Sequence, residues 1–416
     1  QVPLRIPQAL PKDLLQYTFD LLNYILNENK IDLGREEEQN VGSLISQFLL
    51  LRIKTPRLAI RYVNSLSFLI PLLDGEVNMS DLILFEGVKI LYPKYYDFIK
   101  SSPEYFIETY YDFTYEKKNL EKIEELKSNF EELKKDLSKN EQNAILKLLK
   151  HLFPFIKEGL ENYSLRNRDD LWIREKRIAS SKYFYKYFIY SVSKDDISDV
   201  YFENYIKNLS TKEYDQILHE TEEIFSSIDP VEYINKISFY EDSLEWETKK
   251  VLIELVCSIQ GRFEGMKGGT FSLGYNPKSQ AAVLVNRLLL SHKNYSERFN
   301  VAKKTISSEV PFEFSKELLK WFKVGKSEEE KTLKIDEIKF LNKVILDRAL
   351  DDSKKCNSNL FEKYEHSIFL LLSLFHESDP IGLTVYIKNL LDENPKFIKT
   401  IIYSLTSMIY SSSRID

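Results

Sequence analysis

The chain has 416 residues, a formal net charge of −6 and only 12 glycines. That length allows two or more domains and a large buried core, and the near-balanced charge excludes bulk attraction to nucleic acid or an anionic membrane, leaving only a local basic face. Leu, Ile, Phe, Tyr, Lys and Glu dominate while Val is sparse, a mix that predicts an all-α fold rather than sheets.

Val2, Leu4 and Ile6 alternate like an edge strand, with Pro3, Pro7 and Pro11 blocking continuation of a ladder or helix. Leu10 to Leu26 carries a helical stripe of Leu14, Leu15, Phe19, Leu22, Ile25 and Leu26. Asn27 to Gly42 is polar and acidic and reads as a loop or insertion, and Leu44 to Leu51 as a helix turned into the core.

Lys54 to Lys94 is the most informative stretch. Thr55 and Pro56 mark a helix start, since a threonine hydroxyl accepts from first-turn N–H groups and proline lacks only an N–H that would be orphaned there. Arg57 and Arg61, four apart, share one face, opposite Ala59, Val63 and Leu66, with Ile60 at the border. Asp74-Gly75 ends that helix, and Asn78 or Ser80 caps the next, whose buried residues include Leu82, Phe85, Val88 and Leu91. An aromatic-dense tail, Tyr95 to Tyr115, completes a compact helical unit over residues 1–115.

Residues 116–150 form a charged helical arm. Its stripe of Ile123, Leu126, Phe130, Leu133 and Leu137 fits either a hairpin packed on its own chain or a short dimerising coil. Ala144 to Leu160 continues apolar and breaks at Pro154. In the larger multi-helix region, residues 151–416, Trp172 to Phe188 sets Arg174, Lys176 and Arg177 ahead of Tyr183, Phe184, Tyr185, Tyr187 and Phe188. Such interleaving can stack nucleobases and neutralise phosphates, but Phe184, Tyr187 and Phe188 have core spacing, so nucleic acid is the disfavoured partner. Asp195, Asp196, Ser198 and Asp199 lack the pattern of a calcium loop and read as a cap for a helix at Val200.

Beyond residue 200 short helices follow one another, solenoid-like in projection though without a fixed-period repeat. Predicted helices run over Thr248–Phe263, Ala281–Leu290, Glu317–Val324, Ile335–Leu350, Leu360–Leu374 and Gly382–Leu391, with a last one near Pro395–Tyr410. Cys257 reads as an inert core thiol, and with only Cys356 besides it no disulfide framework is possible, so a reducing cytoplasm is expected. No apolar run approaches the roughly 20 residues of a membrane span. His151, His219, His292, His366 and His376 show no zinc spacing, and no G-x4-G-K-[ST] or G-x-S-x-G occurs; the glycines of 261–274 are wrongly spaced for a phosphate loop.

Several motifs occur together in one order: TPR-x3-R-x2-N at Thr55 to Asn64, EVN-x2-D-x4-E at Glu76 to Glu86, and P-x2-Y-x2-I at Pro93, Tyr96 and Ile99. With the opening QVPLRIP and the segment Arg174 to Asp199, this resembles the helical lid and C-terminal region of bacterial KAP-type P-loop NTPases, covering residues 1–115 and, loosely, 165–290. The resemblance implies ATP hydrolysis with Mg²⁺ by the complete protein, in a bacterial regulatory or anti-phage role, with the sheet, phosphate loop and metal-binding strand expected before Gln1. It makes Arg57, with Arg61, the residues facing the nucleotide. The alternatives are a helical scaffold that binds a protein partner or self-associates, and a nucleic-acid module acting through Arg174 to Lys186.

Overall fold

The computed structural model describes residues 9–107, 116–156, 169–191, 196–263, 277–308, 310–324 and 331–404. Among them every regular element is a helix and none is a strand, so the all-α expectation holds. The alternating stretch at 2–6, the end of the aromatic tail, Asp195, the glycine cluster after 263 and the chain beyond 404 lie outside the described residues. None of the described helices is long and apolar enough to cross a membrane. By internal contacts the chain forms two compact units, Gln1–Tyr201 and Phe202–Asp416.

The first unit contains α1 (Pro11–Glu28), α2 (Arg35–Arg52), α3 (Pro56–Leu73), α4 (Met79–Leu91), α5 (Pro93–Ser101), α6 (Glu116–Lys134), α7 (Lys139–Leu152), α8 (Asp169–Arg174) and α9 (Lys186–Ile189), and the start of α10 (Asp199–Lys207). The polar stretch 27–42 is not one loop: α2 already begins at Arg35, because Glu36, Glu37 and Glu38 crowd its first turn, where carboxylates favour a helix N-terminus. The turn itself is short, made by Lys30 and Gly34 at positive φ, with Asp32 accepting from the Gly34 N–H.

Helix α4 is the axis of this unit. Residues 80–88 and Leu91 are buried in it, and it packs against α2, α3, α5 and α7. Gly87 allows the closest approach: a Cβ there would lie 2.7 Å from the Phe48 ring of α2. Phe85 on the same helix meets Phe153, Tyr187 and Phe188 edge to face, ring centres 5.2–6.4 Å apart. Part of the apolar stripe of the charged arm joins this core, with Leu126 and Phe130 buried and Leu133 and Leu137 packed against it, as the hairpin reading expects. Helix α7 starts in a capping box between Ser138 and Glu141, and Glu141 also pairs with Arg52 of α2 at 2.7 Å.

The second unit continues α10 and adds α11 (Tyr214–Phe225), α12 (Pro230–Tyr240), α13 (Trp246–Ser258), α14 (Pro277–Leu290), α15 (Tyr295–Ser307), α16 (Phe312–Phe322), α17 (Ile335–Lys355), α18 (Leu360–Lys363), α19 (Ile368–Ser378) and α20 (Pro380–Glu393). Its helices pack on their next-but-one neighbours, α12 on α14 on α16 in one row and α13 on α15 on α17 on α19 in the other. The expected helix Leu360–Leu374 is in fact two, because Tyr364 turns back so that its hydroxyl donates to Asp352 of α17. Two arginines tie successive layers: Arg298 donates to the carbonyls of Leu290, His292 and Lys331, and Arg348 to those of Ile306, Ser308 and Val310. Each guanidinium thereby satisfies carbonyls near the end of a helix, where no intrahelical N–H reaches them.

Candidate functional site

The predicted helix start at Thr55 forms as read: Thr55 Oγ1 accepts from the Leu58 N–H and Pro56 occupies the first helical position. Ala59, Val63 and Leu66 are buried, Ile60 is 39% exposed, and Arg57 and Arg61 are both exposed. Neither arginine forms a hydrogen bond or ion pair with any described residue. The two guanidiniums are therefore available to an external anion, beside a helix N-terminus whose dipole favours negative charge.

The suggested pairing of Arg61 with Glu76 or Asp81 does not occur, because both carboxylates are engaged by cations about a hundred residues away. Asp81 Oδ2 accepts from Arg177 Nε at 2.7 Å and from the Ile178 N–H at 3.0 Å, and Arg177 Nη2 reaches the His151 carbonyl. Glu76 accepts from the Ser198 hydroxyl, from the N–H groups of Asp199 and Val200, and from Lys186 Nζ at 3.1 Å. Lys186 also lies 3.3 Å from Asp199 and 3.5 Å from Asp196, and Tyr183 donates to Asp199. Asn78, the N-cap of α4, takes its remaining bonds from the same distant segment: its N–H meets Tyr187 Oη and the Lys176 carbonyl, and its side chain the Glu175 carbonyl. Lys176, in the left-handed region at φ 55°, donates its Nζ to the Gly75 carbonyl.

Glu76, Asn78 and Asp81 of the EVN-x2-D stretch are thus clasped by Lys176, Arg177 and Lys186 of the Arg174 to Asp199 segment. Burial pushes the Glu76 carboxyl up, but the Ser198 hydroxyl, the Lys186 ammonium and two backbone N–H groups outweigh it and hold the group below its ordinary range. Burial likewise opposes the charge of Lys186, and Asp199, Asp196 and Glu76 more than restore it, leaving its pKa raised. At the other end of α4, Glu86 accepts from Ser65 and Lys89, and Lys89 Nζ also reaches Tyr190 Oη at 2.7 Å. Ser198 caps α10 through the Tyr201 N–H, as its place before Val200 implied.

The clasp and the core match the core reading of the aromatic segment. Arg177 and Lys186 are turned inward to carboxylates, and Phe184, Tyr187 and Phe188 lie in the core. Sequence reasoning missed the ion pairs themselves; partners so far apart leave no local spacing to find.

A cleft of about 610 Å³ opens between α2 and α7, lined by residues including Asn40, Ser43, Asn143, Lys147 and His151; the arginine pair does not line it. Among the described residues no group of three or more His, Cys, Asp or Glu side chains is placed to hold a metal ion. Compared with protein-family models, with curated proteins and with solved structures, the chain matches none.

Proposed function

We propose that this chain is the helical lid and C-terminal region of a KAP-like P-loop ATPase of bacterial regulatory or anti-phage type, acting in the cytoplasm. The observation that carries the reading is the pair Arg57 and Arg61: two exposed arginines without partners, one turn apart, at the N-terminal end of a capped helix. A guanidinium stays charged at any physiological pH and binds phosphate oxygens in a bidentate way, so the pair fits an ATP phosphate group. Mg²⁺, which travels with ATP and neutralises phosphate charge, would be held by residues other than those described. Further support comes from the clasp at the far end of α3, which immobilises the α3–α4 turn and so sets the direction in which α3 presents its arginines.

In the complete protein, Arg57→Ala is expected to lower ATP turnover by on the order of 10³-fold, the scale for a lost arginine that stabilises transition-state charge. Its melting temperature should barely move, because an exposed arginine without partners contributes within about 0.5 kcal/mol. Arg61→Ala, one turn further in, should cost less turnover. Equal and small effects from both would remove the arginines from any nucleotide site.

The second reading, a scaffold that binds a protein partner or self-associates, is favoured by one observation. The two-row packing of α12 to α19 resembles stacked helical-hairpin proteins, whose extended faces bind other chains.

A further inference from the structure

Three clefts of the first unit run into one another along α2. The one of about 610 Å³ between α2 and α7 shares Asn40 and His151 with a smaller one of about 200 Å³, which the matched pair Asp81–Arg177 also lines. That one in turn shares Glu37 with a third, of about 370 Å³, between the α1–α2 turn and the α3–α4 turn. Together they form one open furrow. Its course along α2, from Glu36 to Leu44, is about 12 Å at 1.5 Å per residue, and the third cleft extends it.

The two ends of the furrow carry opposite charge. Lys147 and Lys150 line the α7 end, where no described carboxylate does. Asp32, Glu37, Asp74 and Glu175 line the other, with Lys30 as the only described cation among them. Asp74 follows the last residue of α3, where the helix dipole disfavours negative charge. It is exposed and forms no hydrogen bond or ion pair with a described residue, so no contact of the fold accounts for a carboxylate there. Asn40, where the first two clefts meet, and Asn143 of α7 add exposed carboxamides that form no hydrogen bond with a described residue.

We propose that this furrow holds an extended peptide segment of a protein partner, with a basic side chain among Asp32, Glu37 and Asp74 and an acidic one at Lys147 and Lys150. A carboxamide offers one acceptor and two donors, which pair with a backbone N–H and C=O. Asn40 and Asn143 therefore take the main chain, while the two ends read the charges. At about 3.3 Å per extended residue, the opposite charges of the segment stand roughly four to six positions apart. The carboxylate end repels a phosphate backbone, and a single amino acid is too short to meet both ends. The site is independent of the nucleotide reading, since Arg57 and Arg61 do not line the furrow.

The test titrates the whole chain with two heptapeptides of one composition, their ends acetylated and amidated. Lys-Lys-Thr-Val-Thr-Glu-Glu keeps the charges apart, and Lys-Glu-Thr-Val-Thr-Lys-Glu mixes them. At low salt the first should bind saturably and about tenfold more tightly, the scale of two partly exposed ion pairs, and added salt should close the gap. Asp74→Asn combined with Glu37→Gln should erase the preference. Asn40→Ala combined with Asn143→Ala should weaken both peptides alike. Asp74→Asn alone should leave the melting temperature unchanged or slightly raised, because a charge opposed to the dipole is gone. The proposal is overturned by equal affinity for the two peptides on the native chain, by absence of saturable binding, or by a preference that survives the Asp74–Glu37 double change. Asparagine variants that bind as the native chain does, or a clear drop in melting temperature for Asp74→Asn, would overturn it too.

Discussion

The two units bury charge in opposite ways. In Gln1–Tyr201 two buried ion pairs join distant parts of the chain, Asp81 to Arg177 and Glu76 to Lys186, with some hundred residues between partners. In Phe202–Asp416 the corresponding arginines serve the backbone, with Arg298 and Arg348 meeting carbonyls six to forty-two residues away. The first arrangement closes a bundle, because the α3–α4 turn cannot separate from Arg177 and Lys186 without stranding charge in a low-dielectric interior. The second builds a stack, in which each layer depends mainly on its neighbours. A closed bundle suits a rigid support for the exposed arginines of α3; a stack suits a surface that can be extended or reshaped layer by layer.

The largest expected effect tests closure. Asp81→Ala takes from the Arg177 guanidinium, 17% exposed, its 2.7 Å carboxylate, leaving Glu175 at 3.9 Å, and should cost on the order of 3 kcal/mol. Hydrogen exchange should rise together in residues 78–91 and 175–189. A loss confined to the first turn of α4 would show that the clasp is decoration and the apolar core alone closes the unit.

The matching change in the stack is Arg298→Ala. Three carbonyls lose a donor, and a cost of about 1–3 kcal/mol is expected. Faster exchange should be confined to the end of α14, α15 and the start of α17. Exchange rising across the whole second unit would mean that it, too, unfolds as one body.

The smallest effect is a pH dependence that separates the units. Glu76 is held below its ordinary value of 4.5 when folded, so its contribution is present above that pH and is lost as pH falls through the lower, folded value. The first unit should therefore weaken on acidification, and Glu76→Gln should flatten that part of the profile while lowering stability at neutral pH. Lys186 acts on the other side. Its raised pKa keeps its contribution intact up to about its ordinary value of 10.5, and the contribution is lost as pH rises through the folded value. An acid profile identical in native and Glu76→Gln chains would assign the dependence to other carboxyls.

Local signals were legible wherever one helix decided its own fate. Thr55 as a cap, a second cap at Asn78 or Ser80, Ala59, Val63, Leu66, Phe85 and Leu91 as core, and Arg57 and Arg61 as one exposed face all follow from spacing within a turn or two. Where the sequence misled, a distant contact or a helix-end effect had intervened. The acidic run at 36–38 looked like loop composition and is a helix start, and Leu360–Leu374 looked continuous until Tyr364 found Asp352.

By itself, then, the sequence determined the all-α class, several helix starts and the inward faces, since these depend on backbone hydrogen bonding and a 3.6-residue period that neighbouring residues specify. Only the tertiary structure decided that the basic residues Arg177 and Lys186 point inward rather than to a partner. A charge on an amphipathic stretch is equally compatible with solvent and with a buried carboxylate, and the choice rests on whether the fold delivers Asp81 and Glu76 to it. Folding also decided the division at Tyr201, which no linker composition announces: α10 runs through it unbroken, and only the density of contacts on either side marks the change from bundle to stack.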